Sequence, residues 1–267
     1  MGKKINVSCV QTSSFSDPLK NIKQIKPLLL EAKKRNSELV CLPECSGIIS
    51  DSTNLLKKFC SNNIYLDFIK DVCKKFNFFI IIGSIPVKSS GKKFFNRSYV
   101  IDNKGNIVDY YDKINLFDVV LDKGEKYLES KQYKSGSSLT VCQLPWGKVG
   151  LSICYDLRFP SIFRKLAKKG SDFLSIPAAF TKTTGKAHWY SLIRARAIEN
   201  GCFVFAPAQC GTHDDGRKTY GHSLIVDPWG EVLAEAKNKP SVLTAKVDIN
   251  LVNNARAKIP AMTNYDF

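Results

Sequence analysis

Apolar residues at Ile5, Val7, Cys9 and Val10 predict an opening strand from Lys4 to Gln11. The period then changes. Leu19, Ile22, Ile25, Leu28, Leu29 and Ala32 recur at helical spacing. Ser16 or Asp17 can cap this helix, and Pro18 suits its first turn, where a missing N–H costs nothing. Pro27 lies inside the pattern and predicts a kink. A second strand, Glu38 to Leu42, runs into Pro43-Glu44-Cys45. Tyr65 to Phe76 reads as an amphipathic helix, with Phe68, Ile69, Val72 and Cys73 on one face. Phe78 to Ile85 has no polar alternation, which predicts a strand buried on both faces. Asn96 to Val108 reads as a hairpin turning through Asn103-Lys104-Gly105-Asn106. From Asp112 to Gly136 periodicity is lost, and a long irregular loop in a compact domain usually carries function.

The second half repeats this grammar. Leu139 to Leu144 and Val149 to Ile153 are strands around Pro145-Trp146-Gly147-Lys148. A helix from about Pro160 places Ile162, Phe163, Leu166 and Ala167 in register and closes at Lys168-Lys169-Gly170. Phe173 to Ile176 is a strand, and His188 to Asn200 a helix closed by Gly201. Phe203 to Ala208, Ser223 to Val226, Glu231 to Ala234 and Ser241 to Val247 are strands. Strand–helix–strand units mixed with hairpins, with no Pro/Gly/Ser-rich linker between them, predict one α/β domain over residues 1–267, built of two mixed sheets and covering helices.

At 267 residues, 44% of them hydrophobic and 24% charged, the chain has a globular composition and excludes disordered, fibrous and collagenous classes. No segment reaches the ~18 apolar residues of a spanning helix. The basic N-terminus is not followed by an apolar stretch, and Asn6 stands where a myristoylation motif needs Ser or Thr. The expectation is a cytoplasmic protein that neither enters nor binds membranes. Nine cysteines, an odd number with no CxxC spacing, point to reduced thiols. The net charge of +16 raises a nucleic-acid partner as a possibility. Yet 32 of the 40 basic residues are lysines, scattered as pairs without a basic block or nucleic-acid motif. A solvated lysine surface is expected, compatible with a small anionic substrate but not with nucleic acid.

Cys154 has the most distinctive setting. It ends a strand in Gly150-Leu-Ser-Ile-Cys154-Tyr-Asp-Leu-Arg-Phe-Pro160, ahead of a helix. Such a turn can present a nucleophile and aim backbone N–H groups at one point, and a helix N-terminus favours a thiolate. A buried strand-end cysteine has the same local appearance. Glu44 follows the second strand, and Lys113 lies in the apolar-flanked Tyr111-Asp-Lys-Ile-Asn-Leu-Phe117; each alone reads as an ordinary loop residue. His188, His213 and His222 are isolated, show neither metal-ligand spacing nor a Cys/His pair, and read as hydrogen-bonded structural histidines.

Taken jointly, Leu-Pro-Glu44, Asp-Lys113 and Ile-Cys154-Tyr-Asp-Leu-Arg-Phe-Pro160 resemble the Glu–Lys–Cys signature of the nitrilase superfamily of carbon–nitrogen hydrolases. The resemblance extends from Val10-Gln11 to Leu243–Asp248. Phe180–Trp189, Arg194–Asn200 and Ser223–Glu231 make it most similar to the Nit branch. It implies a four-layer α-β-β-α sandwich, association into a homodimer or higher homo-oligomer through helices, and chemistry without a cofactor or metal. It further implies an amidase passing through a thioester on Cys154. Glu44 is the implied base, and Lys113 with the Tyr155 N–H stabilises the oxyanion. A second glutamate is implied in the loop after the lysine, with Glu129 the match and Glu125 the competitor. The segment Ala208 to Ser223 resembles the type that acts on deaminated glutathione; an ω-amidase acting on α-ketoglutaramate-like amides is the alternative. A carboxylate-bearing substrate asks for a cation, so Arg158 and Arg217 are candidate binding residues beside Tyr155 and Phe180. Arg158 has a competing reading as a brace on Asp156.

Overall fold

Two strands of the first sheet, Leu39–Cys41 and Phe79–Lys88, are covered on both faces, which is why they show no polar alternation. Ile5, Val7, Cys9, Leu39, Cys41 and Ile81 face one hydrophobic cluster, and Val10, Val40, Leu42, Ile80 and Ile82 face another. In the computed structural model, which describes residues 4–120 and 126–262, the first cluster fills the space between two sheets and continues beneath the helices that cover the second sheet. The second lies beneath helices on the outer face of the first sheet.

The first half contributes β1 (Lys4–Gln11), α1 (Pro18–Lys34), β2 (Leu39–Cys41), α2 (Thr53–Cys60), α3 (Ile64–Phe76), β3 (Phe79–Lys88), β4 (Phe94–Ile101) and β5 (Ile107–Asp112). A small hairpin, β6 (Asp118–Val120) with β7 (Lys126–Leu128), occupies the segment read as irregular. The second half contributes β8 (Val141–Leu144), β9 (Gly147–Leu151), α4 (Pro160–Lys168), β10 (Phe173–Ser175) and the turn α5 (Lys182–Thr184). It continues with α6 (Tyr190–Asn200), β11 (Phe203–Ala206), β12 (Cys210–Thr212), β13 (Lys218–Tyr220), β14 (Leu224–Val226), β15 (Val232–Glu235), β16 (Ser241–Asp248) and α7 (Asn250–Lys258).

The sheets run β16-β1-β2-β3-β4-β5 and β15-β14-β11-β10-β9-β8. Each has three parallel strands, β1-β2-β3 or β9-β10-β11, flanked by antiparallel neighbours. The final strand of the chain, β16, pairs with β1 along its whole length and closes the first sheet. Helices α1 and α3 cover the first sheet and α4 and α6 the second, giving the α-β-β-α sandwich.

Local chemistry accounts for the element ends. Asp17 caps α1 by accepting from the Leu19 N–H at 2.8 Å. Helix α1 continues through Pro27, which lies on its exposed face. Gly201 ends α6 with φ of 56°, a left-handed conformation that costs a residue without a Cβ little. Gly83 and Ser84 form an irregularity in β3 where the pairing with β4 shifts register. A Cβ on Gly83 would lie 2.1 Å from the Leu42 carbonyl oxygen and 2.5 Å from Pro177, so only glycine lets the two sheets approach at this end. Among the described residues, no helix is long and apolar enough to cross a membrane.

Candidate active site

The carboxyl ends of the parallel strands meet at one cleft of about 530 Å³. Small-molecule sites commonly occupy roughly 300–1,000 Å³. Glu44, Asn96, Lys113, Glu129 and Cys154 all line it. Glu44 follows β2, the middle strand of its parallel trio, whereas Cys154 follows β9, the first of the other. The position equivalent to Glu44 in the second half, after β10, is held by Ala178 and Ala179. The two halves therefore share a scaffold and not a repeated site.

The β3 irregularity builds the Glu44 turn. The Ser84 hydroxyl accepts from the Cys45 N–H at 3.0 Å, and its carbonyl from the Ser46 N–H at 3.1 Å. Gln209 Nε2 donates to the Glu44 carbonyl at 2.9 Å, from the opposite sheet's side of the site. Cys154 sits in a tight turn with φ of 48°, and its N–H donates to the Pro177 carbonyl at 2.8 Å. A left-handed backbone at a residue other than glycine stores on the order of 1–3 kcal/mol, tolerated where the surroundings over-determine it. Cys45 has the same conformation, with φ of 57°, on the facing turn.

Lys113 is 2% exposed, and its ammonium lies 2.9 Å from both Glu44 Oε1 and Glu129 Oε2. Asn96 Nδ2 donates to Glu44 Oε1 and to Glu129 Oε1, each at 3.0 Å. Glu129 Oε2 also accepts from the Phe117 N–H at 2.7 Å, and Glu44 Oε2 from the Ala179 N–H at 2.8 Å. Glu129 thus joins the site as its second glutamate; Glu125 lies outside the described residues. The Cys154 thiol faces the same cleft as Glu44.

Charge settles which group carries the proton. Burial alone would push the Glu44 carboxyl up, but Lys113 and the hydrogen bonds from Lys113 and Ala179 outweigh it and hold it below the ordinary carboxylate range. Burial would lower Lys113, yet Glu129 and Glu44 keep it firmly protonated. Burial and the Glu44 charge raise the Cys154 thiol well above its usual value, with Lys113 opposing. The expected thiolate stabilisation by the following helix is therefore outweighed. At rest the site holds a neutral thiol against an ionised base.

The remaining candidates separate by position. Tyr155 and Phe180 line the cleft. The Tyr155 ring packs edge-on against Phe117 and Phe159, and Phe180 packs on Trp189 at 5.2 Å between ring centroids. Arg217 also lines the cleft, 2.7 Å from Asp51. Arg158 lies over the outer side of this wall, its guanidinium 5.3 Å from the Phe180 ring centroid and 3.3 Å from His188 Nδ1. It does not brace Asp156, which is occupied by Tyr111, Ile153 and Asn115. The histidines are structural: His213 bridges Ser14 and Thr219, and His222 pairs with Glu235. No cluster of three His, Cys, Asp or Glu side chains able to hold a metal occurs among the described residues.

Asn96, Ala179 and Gln209 are absent from the sequence reading. Asn96 carried one signal: an asparagine inside a strand is disfavoured, and once buried it must find partners.

A cysteine, a lysine and two glutamates converging at the end of an α-β-β-α sandwich define a carbon–nitrogen hydrolase. The chain belongs to that family, whose Carbon-nitrogen hydrolase profile matches residues 6–257. It is therefore a hydrolase of non-peptide C–N bonds, an amidase of the nitrilase superfamily. A deaminated glutathione amidase from Dictyostelium discoideum is 37% identical over 99% of this chain and 94% of its own length. The crystal structure of the Caenorhabditis elegans NitFhit protein aligns with a TM-score of 0.93 and 34% identity, covering 99% of this chain and 66% of that one. Saccharomyces cerevisiae Nit3, a member of branch 10 of the nitrilase superfamily, aligns with a TM-score of 0.86 and 29% identity over 97% and 95% of the two chains.

Proposed function

We propose that this enzyme hydrolyses the amide of deaminated glutathione through a thioester on Cys154. The observation that carries the mechanism is the convergence of Cys154, Glu44 and Lys113 on one cleft, with the Glu44 carboxyl held ionised by Lys113 and the Cys154 thiol held neutral by burial. As sulfur attacks the amide carbon, its proton passes to Glu44 and the C–S bond forms. The developing oxyanion is held by the Lys113 ammonium and the Tyr155 N–H. Glu44 delivers its proton to the departing nitrogen, the C–N bond breaks and the cysteinylglycine amine leaves. Glu44 then takes a proton from water, which attacks the thioester. The carboxylic acid departs and the proton returns to sulfur. Glu129 and Asn96 hold Lys113 and Glu44 in register throughout.

The substrate assignment draws on the relatives named for that activity and on a cationic wall, Arg217, Lys126 and Lys131, facing the carboxylates such a substrate carries. The test measures release of cysteinylglycine from deaminated glutathione and of ammonia from α-ketoglutaramate in parallel, with mass detection of the Cys154 adduct. A kcat/KM for α-ketoglutaramate equal to or above that for deaminated glutathione would reject the assignment.

We place the enzyme in the cytoplasm, since all nine cysteines are free. We further propose a homodimer or higher homo-oligomer formed through the α6 side of the molecule. Trp229 is 57% exposed and Ile198 51%, with Ile259 exposed nearby, an apolar patch of the kind that pairs with a second copy. Light scattering on the purified chain decides this; a monomer at micromolar concentration would reject it.

A further inference from the structure

One guanidinium in the cleft has two acids. Arg217 Nη2 lies 2.7 Å from Asp51 Oδ1 and 3.4 Å from Asp215 Oδ2. The acids are unequal. Asp215 is two residues away, accepts from the Arg217 N–H at 3.0 Å, and has a side chain only 11% exposed. It is fixed. Asp51 comes from the loop before α2, 166 positions away in sequence, and its side chain is 73% exposed. Neither acid meets the guanidinium through two parallel N–H bonds, the arrangement a carboxylate ligand can offer.

Charge counting gives these contacts a meaning. Asp215 already balances Arg217, so the second acid is surplus. An exposed single-contact ion pair is worth only about 0–1 kcal/mol, so Asp51 leaves at small cost. The cleft also carries Thr53 and Gln132 next to Asp51, with Gln132 Nε2 donating to the Asp51 carbonyl at 2.6 Å. The backbone of the loop is thus pinned while the carboxylate itself stands in water.

We propose that Arg217 is the receptor for the free carboxylate of an anionic substrate, and that Asp51 is a stand-in that the substrate displaces. The proposal rests on the amidase reading for what enters the cleft, but its geometry concerns carboxylate binding alone. Arg217 then selects amides whose other end is a carboxylate. Asp51 tunes that selection by competing for the same donor.

Calorimetric titration with glutarate, a dicarboxylate with no amide to cleave, tests this on the full chain, with dimethyl glutarate as the neutral control. Asp51→Asn is expected to bind glutarate about two- to five-fold more tightly, because the competitor is gone. Arg217→Lys keeps the charge beside Asp215 but loses the fork, and is expected to bind about 10- to 100-fold more weakly. The ester should bind weakly and alike to all three proteins. Glutarate affinity equal or lower in Asp51→Asn, or retained in Arg217→Lys, overturns the proposal. Failure of the amidase reading has a different signature: no thioester on Cys154 from any amide, whatever glutarate does.

Discussion

The Tyr111 hydroxyl donates to Asp156 Oδ2 at 2.8 Å, tying the end of β5 to the turn that holds Cys154. The Asn115 N–H and side-chain amide both donate to Asp156 Oδ1, and the Ile153 N–H to Oδ2. Asp156 therefore fastens the segment carrying Lys113 to the segment carrying the nucleophile. Burial raises its carboxyl despite these four donors, so each of them offsets the cost of a buried charge. Tyr111→Phe removes one donor and also leaves the Ile114 N–H without its 3.1 Å acceptor. We expect a loss of about 1–3 kcal/mol in denaturant unfolding. Turnover should drop by up to about 100-fold as the Lys113–Cys154 spacing loosens. Wild-type kcat in a folded Tyr111→Phe enzyme would show that the tie does not position the site.

Lys113 neutralises two buried glutamates, so its removal affects more than chemistry. Lys113→Ala leaves Glu44 and Glu129 facing each other without a cation. Breaking a buried pair typically costs about 3–5 kcal/mol. We expect no measurable turnover and a lowered melting temperature, with the deficit shrinking at acid pH as the stranded carboxylates protonate. Cys154→Ala should also abolish turnover but leave stability close to wild type. Equal melting temperatures for the two variants across pH would contradict the ion-pair account.

Asn96 holds Glu44 and Glu129 by one amide nitrogen. Asn96→Asp puts a third carboxylate beside them, and like charge raises a carboxyl pKa. The acid limb of kcat/KM should move to higher pH, with a lower plateau. A pH profile superimposable on wild type would remove Asn96 from the catalytic network.

His213 predicts how the Arg217 loop responds to acid. Burial lowers its pKa, opposed by the hydrogen bond to the Ser14 carbonyl and by Asp215. Its Nδ1 donates to the Ser14 carbonyl and its Nε2 meets the Thr219 hydroxyl, each at 2.8 Å, a pairing the neutral ring can make with Thr219 donating. Above the unfolded value of about 6.5 both states are neutral. Below it the unfolded chain binds the proton first, so stability falls with falling pH until the lowered folded value is passed. His213→Asn should flatten this slope between pH 6.5 and the folded value in thermal melts. An unchanged slope would assign the acid sensitivity elsewhere.

The parallel strands, the four covering helices and the Glu44, Lys113, Cys154 set were legible because each has a periodic or joint-motif signature. Helix α2 was not. Only Leu56 and Phe59 of its eight residues are buried, too few to establish a period. Helix α7 buries only Val252 and Ala255. Glu129 was legible by its place after the lysine, but its contacts with Asn96 and Phe117 arise from the β6–β7 hairpin and are invisible in one dimension. Arg158 and Arg217 looked alike as cations; only folding sets one behind Phe180 and the other in the cleft. The helix N-terminus beside Cys154 suggested a thiolate, and the burial that reverses it is a property of the two sheets together.

Glu44, Asn96 and Lys113 hang from one sheet, and Cys154 and Ala179 from the other. Backbone ladders within each sheet survive if the layers slide past one another, but the acid and the thiol then part company. Catalysis is thus a gauge of layer alignment, more sensitive than any measure of strand content. Turnover should fade at lower denaturant concentration than circular dichroism does. A new contact that joins the layers away from Gly83, where a Cβ has no room, would extend the working temperature further than equal stabilisation placed within either sheet.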